Sequence, residues 1–142
     1  MFKNSEKGFS LIELLLVVVI VGIIAALAVP ALRRAARAAE NGTTFAALRT
    51  INSTQVGFYS QNSRFGRLPE LNQILGTSLG TTVGDRVVKG QYVFEMTPVT
   101  PTDEELRTEY TITATRTATD DVVYSYEVTQ SGRIRQILPF AD

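Results

Sequence analysis

The chain has 142 residues in which 14 Lys and Arg balance 14 Asp and Glu, so no net charge points to general nucleic-acid binding. It holds neither His nor Cys, which removes the commonest general base, the thiolate nucleophile, the usual transition-metal ligands and any disulfide. A Gly-rich phosphate loop of either common spacing is also missing, so an enzyme is not expected, and the length suits one domain beyond any membrane segment.

Residues 1–8 form a short charged leader, with Lys3 and Lys7 against Glu6. Residues 9–32 follow without a spacer, and their only strongly polar side chains are Ser10 and Glu13. At about 1.5 Å per residue, such a helix crosses a bilayer core of about 30 Å. No small-residue cleavage site follows the apolar run, so the helix is expected to be kept rather than removed as a secretory signal. The leader suits a cytoplasmic end, whereas Arg33, Arg34 and Arg37 beyond the span oppose the positive-inside rule. A carboxylate inside an apolar helix costs roughly 2.5–3.5 kcal/mol on insertion scales, so Glu13 has two readings. It reaches up to the headgroups, or it pairs with a cation, which a cut after Gly8 would supply as the α-amino group of Phe9.

Gly8-Phe9-Ser10-Leu11-Ile12-Glu13-Leu14-Leu15, with the basic leader before it and Pro30 near the end of the apolar run, resembles the class III signal of type IV pilins and type II secretion pseudopilins. The resemblance covers roughly the first quarter of the chain. It implies that a membrane-embedded prepilin peptidase cuts between Gly8 and Phe9 and methylates the new N-terminus at Phe9. It also implies that Glu13 aids docking into a filament, and that Pro30 marks where the helix kinks or melts in the fibre. Leu48-Arg49-Thr50-Ile51-Asn52, Phe58-Tyr59 and the Gly66-Arg67-Leu68-Pro69 turn are pilin-like in a looser way. The disulfide loop found in many pilins cannot form without cysteine.

Beyond Pro30, residues 33–61 read as an amphipathic continuation of the helix, for a total of roughly 80 Å from residue 9. The stripe is Phe45, Leu48, Ile51, Val56, Phe58 and Tyr59. Proline removes one backbone hydrogen bond, and the predicted outcome is a kink at Pro30, with a break at the membrane exit as the alternative. Residues 62–142 form the globular region. Turn formers at 62–69 lead to a short helix at 69–75, and the Gly- and Thr-rich residues 76–84 read as a loop. Residues 91–96, 109–117, 122–128 and 133–138 are predicted strands, with Tyr110, Ile112 and Ala114 alternating against Thr111, Thr113 and Thr115. Hairpin turns are expected at Thr119-Asp120-Asp121 and Gln130-Ser131-Gly132, and Pro98 and Pro101 fall in an exposed loop. The predicted fold is α+β: a long N-terminal helix packed on an antiparallel sheet of about four strands.

Arginines gather between Arg33 and Arg67, while Asp103, Glu104, Glu105, Glu109, Asp120 and Asp121 make the later part acidic. Opposite charges on different faces would help identical copies pack, or simply face solvent. Asp103, Glu104, Asp120 and Asp121 are oxygen donors of the kind calcium takes, without the spacing of an EF-hand loop, and solvated turns are the plainer reading. Asn41-Gly42-Thr43 and Asn52-Ser53-Thr54 fit the glycosylation sequon on a predicted helix.

The function expected from the resemblance is a pilin that polymerises into a type IV pilus-like filament. Its implied partners are identical subunits, the prepilin peptidase, an inner-membrane assembly platform, minor pilins and, before assembly, membrane lipid. Nucleic acid is not an expected partner. The alternatives are a pseudopilin of a type II secretion system and a membrane-anchored binding module, including one for DNA uptake.

Overall fold

The computed structural model describes residues 8–117 and 123–139. Two compact units divide it, Met1–Ala39 and Glu40–Asp142.

The first unit holds the opening half of α1 (Leu11–Asn62). Straight-chain and branched apolar residues dominate it, and no turn former other than Gly22 and Pro30 interrupts them. The helix continues through Pro30, so the alternative of a break there is not seen. Every large apolar side chain from Phe9 to Leu32 is exposed, from 47% at Ile20 to 86% at Phe9. This stretch is long and apolar enough to cross a membrane.

The second unit is the α+β domain. It comprises the end of α1, the short helix α2 (Leu68–Ile74) and six strands. The strands are β1 (Thr81–Val83), β2 (Arg86–Lys89), β3 (Tyr92–Met96), β4 (Thr111–Arg116), β5 (Ser125–Thr129) and β6 (Ile134–Leu138). They form one antiparallel meander in chain order, β1 to β6. The four strands expected from alternation are β3 to β6, and the correction is two further strands, β1 at the end of the stretch 76–84 read as loop and β2 just beyond it. Two tight hairpins create that pair. Gly84 opens one turn with φ +62° and Gly90 opens the next with φ +59°, a conformation glycine adopts without steric cost.

Register explains the core. Phe94 pairs with Ala114, and Ala114 with Tyr126; Met96 pairs with Ile112, and Ile112 with Val128. A small residue thus sits between two aromatic ones in the first row, and all six side chains are buried. Strand β4 alternates as expected, with Ile112 and Ala114 buried and Thr111, Thr113 and Thr115 half-buried. The helix contributes Thr44, Ala47, Leu48, Ile51 and Gln55 to the interior, with Phe45 and Phe58 packed beside them. Two members of the predicted stripe lie outside it: Val56 is 64% exposed and Tyr59 40%. Their place is taken by Gln55, whose amide donates to the Gly66 carbonyl at 2.9 Å and accepts the Gly66 N–H at 2.7 Å. That exchange satisfies two backbone groups of the loop after α1, so a polar side chain is favoured where periodicity suggested an apolar one.

Candidate processing and assembly site

Gly8, Phe9 and Ser10 precede the first turn of α1 in non-helical, exposed backbone. The helix starts where it does because Ser10 and Glu13 both cap its first turn. The Ser10 carbonyl accepts the Leu14 N–H at 3.2 Å, the first intrahelical bond, which makes Ser10 the N-cap. Glu13, three residues on, folds back so that its Oε2 accepts the Ser10 N–H at 2.8 Å. This is the glutamate half of a capping box, and it also places negative charge at the positive end of the helix dipole. The sequence signal for it, Ser-x-x-Glu ahead of an apolar run, is present in Ser10-Leu11-Ile12-Glu13. In this chain Glu13 therefore has a partner within its own first turn, one residue from the Phe9 nitrogen that cleavage would free. The Gly8–Phe9 bond, Phe9 and Glu13 come together at this helix start. Pro30 lies 17 residues beyond Glu13, about 25 Å along the helix, and belongs to a different region.

The acidic residues considered for calcium divide. Asp103 accepts from Arg67 Nη2 at 2.6 Å and lies 3.6 Å from Arg64 Nε. Glu104 is exposed, and Asp120 and Asp121, with the expected turn at Thr119-Asp120-Asp121, lie outside the described residues. Among the described residues no group of three or more acidic, His or Cys side chains converges on one point. Glu105 caps a 3₁₀ turn, Glu105–Arg107, by accepting the Thr102 N–H and hydroxyl, both at 2.8 Å; these bonds hold its carboxyl below the usual pKa. Arginine and acid also pair within the chain rather than facing apart. Arg64 forks onto Glu70 at 2.9 and 2.7 Å, Arg86 meets Glu95 at 2.8 Å, Arg116 meets Glu40 at 3.3 Å and Arg135 meets Glu127 at 2.6 Å.

The two sequon asparagines serve the fold. Tyr92 donates its hydroxyl to Asn41 Oδ1 at 2.6 Å, and Tyr110 donates to Asn52 Oδ1 at 2.8 Å. Each bond ties α1 to the sheet or its approach, and no apolar periodicity would have revealed it.

The chain thus combines an N-terminal helix long and apolar enough to cross a membrane, with a capped, exposed start, and an α+β domain that follows it in sequence. Residues 3–29 match the family model described as the prokaryotic N-terminal methylation motif. The type IV major pilin protein PilA of Myxococcus xanthus (strain DK1622) is 30% identical over 95 residues, which cover 62% of this chain and 43% of that protein. The type IV major pilin protein PilE1 of Neisseria gonorrhoeae is 35% identical over 94 residues, 66% of this chain and 53% of that protein. The chain spans about half the length of the curated relatives it matches. No solved structure matches it. Motif and relatives together support reading the chain as one similar to the type IV pilins.

Proposed function

We propose that the chain is a pilin that polymerises into a type IV pilus-like filament after prepilin peptidase cuts between Gly8 and Phe9 and the Phe9 nitrogen is methylated. The observation that carries this reading is the first half of α1, apolar on all sides and exposed on all sides. Such a helix needs an apolar surround. Lipid supplies it for a single-pass precursor in the inner membrane, and the corresponding helices of neighbouring subunits supply it in the fibre. An assembly platform in the inner membrane and minor pilins are the partners that this transfer requires.

Glu13 sets the register of the transfer. In a dry helical core its carboxylate is costly unless paired, and the ammonium of Phe9 on an adjacent subunit is a partner of opposite charge. Leaving the Ser10 cap for that ammonium exchanges a hydrogen bond for an ion pair only when the axial stagger is right. Glu13→Ala is therefore expected to be cleaved yet to form no filaments, scored by electron microscopy of sheared surface material; normal filaments would sink the pairing. Intact mass and N-terminal sequencing of the native protein test the processing step directly. A methylated N-terminus at Phe9 in the sheared fraction supports a surface pilus, the same terminus confined to the periplasm supports a secretion pseudopilus, and a chain still beginning at Met1 overturns both.

A further inference from the structure

Arg33, Arg34 and Arg37 follow Leu32, the last large apolar residue of the span, within about one and a half turns of α1. At 3.6 residues per turn they occupy a sector of about 100°, so they form one basic face rather than a ring. Arg33 and Arg34 are exposed and lead the face, while Arg37 is half-buried, already makes an interaction of its own and stands at its margin. Arg34 lies back along the helix, with its Nε donating to the Pro30 carbonyl at 3.4 Å, which carries its guanidinium toward the apolar segment. Residues 11–32 rise by about 32 Å, close to the thickness of a hydrocarbon core. With that segment seated in a bilayer, the three guanidinium groups stand at the phosphate level of the leaflet away from the leader. Positive charge at that end opposes the usual orientation bias, so a compensating contact is needed there.

We infer that Arg33, Arg34 and Arg37 form a headgroup-binding face that takes the phosphates of anionic phospholipids while the chain is anchored. The inference rests on the reading that residues 9–32 span the membrane. Guanidinium groups suit the task, because each presents a planar fork of donors to a phosphate and stays charged at every working pH. The contact has a consequence for assembly: it holds the helix at a fixed depth, and a subunit leaving for the filament must exchange lipid phosphate for other acceptors.

The test uses the full chain reconstituted in phosphatidylcholine vesicles containing phosphatidylglycerol, with spin-labelled forms of each lipid read by electron spin resonance. The wild type is expected to immobilise labelled phosphatidylglycerol in preference to labelled phosphatidylcholine, by up to about fivefold per arginine. The preference should vanish in R33Q/R34Q/R37Q, fall in high salt, and persist in K3Q/K7Q, whose changes lie in the leader. Equal immobilisation of the two lipids by the wild type overturns the inference, as does a preference that survives in the arginine variant. Equal immobilisation together with disulfide crosslinking between two copies of R33C, in a chain with no other cysteine, would assign the face to a subunit contact instead and overturn the headgroup site. Flotation with the vesicles is scored separately: a wild-type chain that fails to float overturns the anchor reading itself, whereas one that floats without lipid preference overturns only the headgroup site.

Discussion

Among the described residues, three glutamates turn back on a backbone N–H three residues earlier: Glu13 on Ser10, Glu70 on Arg67 and Glu105 on Thr102, each at 2.8 Å. The geometry is the same and the surroundings differ. Glu70 also receives the Arg64 fork, and that hydrogen bond, with the Arg67 N–H adding to it, holds its carboxyl below the usual carboxylate pKa. A group whose pKa is lower folded than unfolded contributes stability above its unfolded value and loses it as pH falls through the folded one. Denaturant unfolding of the detergent-solubilised chain between neutral and acid pH is therefore expected to show an acid-side loss that is shallower in Glu70→Gln than in the wild type. Equal slopes would mean that the pair is already weakened in solution by its partial exposure. The variant keeps the loop acceptor geometry with a neutral oxygen, so a global loss of fold is not the expected outcome.

Within the second unit, α1 and the sheet are joined by hydrogen bonds from tyrosine to asparagine as well as by apolar packing. Burial pushes the Tyr110 hydroxyl up to about 12. A raised folded pKa means that the stability is held below the ordinary tyrosine value of about 10 and is lost as pH rises from there through about 12. Tyr110→Phe should lower stability near neutral pH by about 1 kcal/mol and give a shallower alkaline loss, read by unfolding at pH 8 to 12. An alkaline profile identical to wild type would show that Tyr92 and Tyr126, whose hydroxyls burial also raises, account for it. These ties were not legible in the sequence, because hydropathy periodicity finds apolar stripes and passes over Asn41, Asn52 and Gln55. Strands β3 to β5 were legible, since each has a buried face to impose alternation, whereas β6 buries no residue fully and was marked by its apolar Ile134, Ile137 and Leu138 after the Gly132 turn. Strand β1 is exposed at all its residues and β2 buries only Val87 fully, so neither carries that pattern; the Gly84-Asp85 and Gly90-Gln91 pairs were their only mark. At the N-terminus the motif made Gly8, Phe9 and Glu13 legible. Ser10 went unread because its role lies in backbone capping rather than side-chain chemistry.

At the scale of the whole molecule, the two units answer to different solvents. Among the described residues, every buried apolar residue of the core falls between Ala47 and Val128, inside the unit Glu40–Asp142, and none is among the apolar residues from Phe9 to Leu32. The buried apolar core thus lies within the second unit, and the exposed apolar side chains of the span call for lipid or neighbouring helices. A fragment lacking residues 1–39 keeps Asn41 for Tyr92, Asn52 for Tyr110 and Gln55 for Gly66, and it loses the interaction of Arg37 and helix turns whose backbone bonds are internal to α1. The prediction is a fragment that is soluble without detergent, unfolds in one cooperative transition and forms no filaments, whereas the full chain needs detergent or a membrane. Circular dichroism during thermal unfolding, with sedimentation to establish the monomer, decides it. A fragment that precipitates or melts without cooperativity would mean that residues 1–39 support the domain as well as anchor it, and assembly could then no longer be separated from folding.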